Sequence, residues 1–274
     1  MKTYPVILTI AGSDSGGGAG IQADIKTISA LGAFAVSAIT AVTAQNTMGV
    51  TAIHTVPFDM LEAQIDAVMS DFQVKAIKIG MINHPKIVSV ITQAILKYKP
   101  PYVVVDPVMI ATSGDMLTHH YAIEKVKKEL FPLANVITPN LQEASILLGY
   151  TIDNVDKMAS AAKALTSLKC KSALIKGGHL SDSDMTDILW IAGEENAHIF
   201  SSKRIETKNL HGTGCSLSSA IATFLAFGET VHEAVRLAKE YVTSAIEAGK
   251  DINIGNGNGA VNHFFSPEKL KVID

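Results

Sequence analysis

Three groups of residues in this sequence have types and spacings suited to chemistry. The most specific is His211-Gly212-Thr213-Gly214-Cys215, running into Ser216-Leu217-Ser218-Ser219-Ala220. A Gly-Thr-Gly turn that opens a helix of small residues offers backbone N–H groups, and the positive end of the helix dipole, to an anion. Gly212, Thr213 and Gly214 are therefore expected to cradle a phosphoryl group in transfer. Cys215 falls in the first turn of that helix, where the dipole favours thiolate near neutral pH, and is expected to act as a base or to orient a substrate hydroxyl. Cys170, in Leu168-Lys169-Cys170-Lys171-Ser172, has no such setting and reads as structural.

The second group lies where short apolar runs end. Asp106 follows Val103-Val104-Val105, Asn140 and Glu143 follow Val136-Ile137-Thr138, and Lys176 follows Leu174-Ile175. Carboxylates and an amide suit a hydrated magnesium ion that bridges nucleotide phosphates, and a lysine at the rim suits a phosphate. Helix capping is the plain alternative for Glu143, and a turn before Pro107 for Asp106.

The third group is Ala11-Gly12-Ser13-Asp14-Ser15-Gly16-Gly17-Gly18-Ala19-Gly20 with Asp24 just beyond. The dinucleotide pattern G-x-G-x-x-G fails because Ile21 stands at its last glycine. The phosphate-loop pattern fails too, since Gly18 and Ala19 stand where Lys and Ser/Thr are needed. What remains is a turn whose backbone approaches a ligand closely. Asp24 either serves the helix dipole or orients a ring bearing N–H donors, and Gln45 could offer that ring a paired donor and acceptor. Among the histidines, His119-His120 reads as a helix start, and His54 and His198 as strand surface. No spacing suggests zinc. His179 and His211 are better placed, with packing or capping as strong a reading as chemistry.

These residues need a scaffold. Val6 to Ile10, Val36 to Val42, Ala76 to Ile79, Tyr102 to Asp106, Val136 to Thr138 and Ala173 to Lys176 read as strands. Between them Ile21/Ile25/Ile28, Leu61/Ile65/Val68, Ile87/Ile91/Ile95 and Ile123/Val126/Leu130 have helical spacing. Two more helices span roughly Cys215 to Phe227 and Val231 to Ala248, and a meander between Asp187 and Ser201 adds antiparallel edge strands. Strand–helix alternation predicts a three-layer α/β/α sandwich around a mostly parallel sheet, with ligands beyond the carboxyl ends of the strands. Gly255-Asn256-Gly257-Asn258-Gly259 is either a mobile loop or a tail folded over the site.

A chain of 274 residues with 47% hydrophobic content can bury one large core, so a single domain over 1–274 is expected. A formal net charge of -3 gives no bulk attraction to nucleic acid or anionic lipid. The start lacks a signal-peptide core and no apolar stretch reaches the length of a membrane span. With two cysteines the chain is no disulfide scaffold, and a cytoplasmic location is expected.

Taken together, the motifs resemble the hydroxymethylpyrimidine and phosphomethylpyrimidine kinases of thiamine synthesis, within the ribokinase-like superfamily. The likeness rests on Thr9 to Asp24, Thr43-Ala44-Gln45-Asn46-Thr47, Lys78-Ile79-Gly80-Met81, Val105-Asp106-Pro107-Val108-Met109, Ile137 to Glu143, Lys176-Gly177-Gly178-His179 and His211 to Cys215. It implies a ribokinase-like fold and two successive transfers from ATP, with Mg2+. It places Gly12, Asp24, Gln45, Met81 and Val108 around the pyrimidine, Asp106 and Glu143 at the metal, and Asn140, Lys176 and Thr213 at the nucleotide. Cys215 stands where most sugar kinases of the superfamily carry an aspartate, as in the vitamin-kinase branch. Family habit implies a homodimer. A pyridoxal kinase of the same branch is the nearest alternative, with Gln45 as the discriminating residue. A fold-only binding or regulatory protein would not need the whole set, and a thiol redox role lacks a Cys-x-x-Cys partner.

Overall fold

The computed structural model describes residues 2–109, 118, 120–178 and 184–273. In chain order they form β1 (Val6–Asp14), α1 (Gly20–Ala30), β2 (Phe34–Asn46), β3 (Gly49–Thr55), α2 (Phe58–Asp71), β4 (Val74–Ile79), α3 (Pro85–Tyr98) and β5 (Tyr102–Val105). Then come α4 (His120–Lys125), β6 (Val136–Ile137), α5 (Leu141–Leu148), α6 (Val155–Thr166), β7 (Ser172–Lys176), β8 (Asp184–Ile191), β9 (His198–Lys203), α7 (Thr213–Ala226) and α8 (Val231–Gly249).

One nine-stranded sheet runs in the order β3-β2-β1-β4-β5-β6-β7-β8-β9. The strands from β2 to β7 are parallel, while β3 at one edge and β8 and β9 at the other are antiparallel. Along β4 the side chains alternate: Ile77 and Ile79 join the core under α2 to α6, and Ala76 joins the core under α1, α7 and α8. Lys78 therefore points into the α1/α7/α8 layer, an unusual place for a lysine. Helices on both faces make the expected three layers.

The predicted strands, the two last helices and the β8–β9 meander are all present. Three features differ. Strand β2 runs on to Asn46 and turns into β3, which carries no apolar face that alternation could reveal: its residues are half-buried or exposed. The Ile123/Val126/Leu130 stripe is not one regular helix, because α4 passes into a π turn at Val126–Leu130 and a 3-10 turn at Phe131–Leu133. Helices α5 and α6 complete the layer between β6 and β7. His54 and His198 lie on edge strands, and α4 begins at His120; His119 and His179 lie outside the described residues.

Candidate active site

Both glycine turns stand at the ends of elements that the sheet brings side by side. In the first, Asp14 at the end of β1 folds the glycine run around its own carboxylate. Oδ1 accepts the Gly16 amide at 2.7 Å, while Oδ2 accepts those of Ala19 at 2.8 Å and Gly18 at 3.0 Å. His211 Nε2 also lies 3.0 Å from Oδ2. Burial alone would raise the Asp14 pKa, but His211 and these amides hold it below the usual carboxylate value. Sequence reasoning passed over Asp14; an acidic strand end before a glycine run was the available signal.

The second turn is fitted against the first. Gly212, the N-cap of α7, has φ 83°, and a Cβ there would fall 1.8 Å from the carbonyl oxygen of Gly18. Only glycine has both the left-handed backbone and the missing side chain. The Thr213 amide is already bonded to the Leu210 carbonyl at 3.3 Å, so the expected cradle loses that donor. First-turn amides of Gly214 and Cys215 have no partner within the helix and remain as its donors.

The strand-end group meets this cradle. A Cβ on Gly214 would lie 3.3 Å from Lys176 Nζ and 3.7 Å from Asp106 Oδ2. Lys176 Nζ bonds Asp106 Oδ1 at 2.7 Å, Thr138 Oγ1 donates to the same oxygen at 3.0 Å, and Ser218 of α7 donates to Oδ2 at 3.2 Å. Burial works against the Asp106 charge, yet Lys176 and Lys78 hold its pKa below the ordinary value. Asn140 and Glu143 form a full capping box on α5, the plain alternative weighed for Glu143. Glu143 Oε2 accepts the Asn140 amide at 2.8 Å and Oε1 the Met109 amide at 3.3 Å. Burial pushes Glu143 up to about 7, Lys176 pulls it back and Asp106 adds to the rise.

Among the described residues no group of three or more His, Cys, Asp or Glu side chains is arranged to hold a metal ion. Magnesium asks for less: one or two carboxylates beside substrate phosphates and retained waters. Glu143, buried near Asp106 with its pKa raised by burial despite Lys176, fits a cation that arrives with a nucleotide.

Cys215 sits half-buried at the third position of α7. The expectation of a neutral-pH thiolate is corrected. Burial pushes the thiol up to about 11; Lys78 and a hydrogen bond from the Gly20 amide act downward, and Asp24 and Asp106 act upward. A helix dipole contributes up to about 2 kcal/mol at a partly buried site, less than the roughly 2.7 kcal/mol of two pH units, so desolvation wins.

Asp24 is corrected as well. It is wholly buried: Oδ1 accepts Lys78 Nζ at 2.8 Å and Ser219 Oγ at 2.8 Å, while Oδ2 accepts Thr9 Oγ1 at 2.6 Å and Lys78 at 2.9 Å. A carboxylate that accepts four hydrogen bonds from three donor groups has no lone pair left for a ring. It forms the floor of the site, and its partner Lys78 was missed because it stands in an apolar strand run.

Other predicted ring residues make separate contacts. A Cβ on Gly12 would lie 2.7 Å from Met81 Cε, and Gln45 Nε2 lies 3.3 Å from His211 Nε2. Val108 lines a hollow with Gly80, Pro107 and Met109 at the ends of β4 and β5. The tail is not free: the Gly257 and Asn258 amides bond Thr47 at 3.1 and 2.9 Å, and Gly259 accepts the His211 amide at 3.1 Å, so the segment folds over the β2–β3 turn. His263, also unforeseen, is buried with Nε2 3.0 Å from Ser216 Oγ; burial lowers it to about 4.

A twofold-covered parallel sheet whose strand-end lysine and aspartate meet a glycine-capped helix start defines a phosphotransferase of the ribokinase-like type. Solved structures agree: phosphomethylpyrimidine kinase from Clostridium difficile superposes with a TM-score of 0.78 at 45% identity, covering 88% of this chain and 99% of that one. The ADP complex of Bacillus subtilis pyridoxal kinase gives 0.88 at 33% identity, covering 95% and 98%. This chain belongs to the phosphomethylpyrimidine kinase family, whose profile matches residues 14–262. It is 48% identical to the hydroxymethylpyrimidine/phosphomethylpyrimidine kinase of Rhizobium meliloti over 260 residues, covering 94% of this chain and 97% of that protein. The thiamine biosynthesis bifunctional protein of Geobacter sulfurreducens is 46% identical over 97% of this chain, which spans 53% of that longer protein. No helix among the described residues is long and apolar enough to cross a membrane.

Proposed function

We propose that residues 1–274 act as one kinase domain that phosphorylates 4-amino-5-hydroxymethyl-2-methylpyrimidine, and then its monophosphate, at the expense of ATP in thiamine biosynthesis. The observation that carries this is the approach of Lys176 and Asp106 to the Gly214 backbone, which puts a cation and a carboxylate beside a ready anion cradle. Names of relatives 48% and 41% identical to this chain, each matched over nearly its whole length, support the substrate. In this reading the substrate oxygen attacks the γ-phosphorus, the bond to the ADP oxygen breaks, and the hydroxyl proton leaves towards Cys215.

Lys176, Asn140 and Thr213 would hold the nucleotide, and the Gly214 and Cys215 amides would take up charge on the moving phosphoryl. Asp106 and Glu143 would hold magnesium, which supplies neutralisation of the phosphate charge. Gly12, Gln45, Met81 and Val108 would frame the ring above the Asp24 floor. With its thiol protonated at rest, Cys215 orients the hydroxyl; it can take the hydroxyl proton only after releasing its own to solvent, as the minor thiolate form, and then only late, as a loose transition state permits. We further assign the protein to the cytoplasm as a homodimer without nucleic-acid or membrane partners.

Pyridoxal is the second candidate acceptor, because pyridoxal kinases from Bacillus subtilis and Staphylococcus aureus share the fold at TM-scores of 0.88 and 0.87. A transfer assay offering hydroxymethylpyrimidine, its monophosphate, pyridoxal, pyridoxine and ribose, each with and without chelator, tests the reading. Mono- and then diphosphate of the pyrimidine, lost in chelator, is expected. Ribose as the best acceptor, or full activity in chelator, overturns it.

A further inference from the structure

Lys78 is among the largest fully buried side chains, and nothing in the proposed reaction yet uses it. Replacing such an ion pair by apolar residues is often neutral or stabilising, so the pair is poorly explained by stability. Its surroundings are specific. Gly20 and Asp24 lie one turn apart on α1, and Cys215 and Ser219 one turn apart on α7, so each pair shares a helix face. The two faces meet where Ser219 Oγ donates to Asp24 Oδ1 at 2.8 Å, and the Gly20 amide acts to lower the Cys215 thiol pKa. Lys78 enters this seam from β4, held by Asp24 at 2.8 Å, with the Gly80 backbone close beside it: a Cβ there would lie 3.0 Å from Nζ.

We propose that Lys78 is a positioning residue for phosphoryl transfer, a fixed cation beneath Cys215 that stabilises negative charge on its sulfur while Asp24 aims it. The inference rests on the reading that Cys215 faces the substrate hydroxyl. The charged groups that act electrostatically on the sulfur are Lys78 from β4, Asp24 from α1, Asp106 from β5 and Lys176 from β7. Burial works against the Lys78 charge, and Asp24, then Cys215 and Asp106, raise it above the ordinary lysine value.

Two members of one ion pair should then act on Cys215 in opposite directions, which a packing role would not produce. The test is the pH profile of Cys215 alkylation by iodoacetamide in the ligand-free full chain, which needs no turnover and so fails separately from the substrate assignment. Lys78→Met should raise the midpoint by about one pH unit or more, slowing alkylation about tenfold below it. Asp24→Asn should lower the midpoint. Midpoints unmoved, or moved together, would overturn the proposal. Should either variant not fold, 15N NMR of the Lys78 ammonium in the unaltered protein decides: its resonance should step at the pH where Cys215 ionises and show no step in Cys215→Ala. A step in both proteins, or in neither, would equally refute it.

Discussion

Replacing Gly212 by alanine tests whether the two glycine turns must touch for the enzyme to work. At φ 83° an L-residue costs about 1–2 kcal/mol. The added Cβ would also lie 1.8 Å from the Gly18 carbonyl oxygen, a backbone atom that no rotamer change can remove. Relief requires the turns to separate by roughly 1 Å, and a displacement of that size at a site costs on the order of a hundredfold in rate. Gly193, in the turn between β8 and β9, provides the control: its φ is 91° but nothing lies within 4 Å of a Cβ there. Gly193→Ala should lower the melting temperature by roughly 2–8 °C and leave turnover intact. Gly212→Ala should lose at least as much stability and, assayed below its melting transition with saturating ATP, most of its turnover. If both variants turn over equally, contact between the turns does not build the phosphoryl cradle.

Cys215→Ala should cost turnover on the order of a hundredfold with little change in ATP affinity. Cys170→Ala, whose buried thiol is pushed up to about 12, should affect stability alone; equal turnover in the two variants would remove Cys215 from the reaction. His263 is lowered from 6.5 to about 4, so the native state binds its proton less readily than the unfolded chain does. That stability is complete above pH 6.5 and is lost as pH falls towards 4, with about 2 kcal/mol gone by pH 5. Urea midpoints should show this slope in the unaltered protein and not in His263→Gln. Gln45→Met should shift acceptor preference from pyrimidine towards pyridoxal by about 1–3 kcal/mol, since an apolar chain leaves the aminopyrimidine edge unpaired. An unchanged preference in paired kcat/KM measurements would take Gln45 out of substrate selection.

The sequence by itself determined the layered α/β/α fold, both glycine turns and the strand-end positions of Asp106 and Lys176. These are local matters: β-branched runs, helical spacing and glycine content act within a few residues. Strand β3 escaped because an edge hairpin with no buried face leaves no alternation to read. Tertiary structure alone decided what the charged groups do. Asp24 meets Lys78 across 54 residues of chain and His211 meets Asp14 across 197, and no spacing rule encodes such distances. The same holds for protonation. A helix N-terminus, visible in sequence, favours the Cys215 thiolate by at most about 2 kcal/mol, whereas its burial and its charged neighbours arise only when α1, α7 and β4 close around it. Desolvation depends on every atom nearby, and those atoms come from distant parts of the chain.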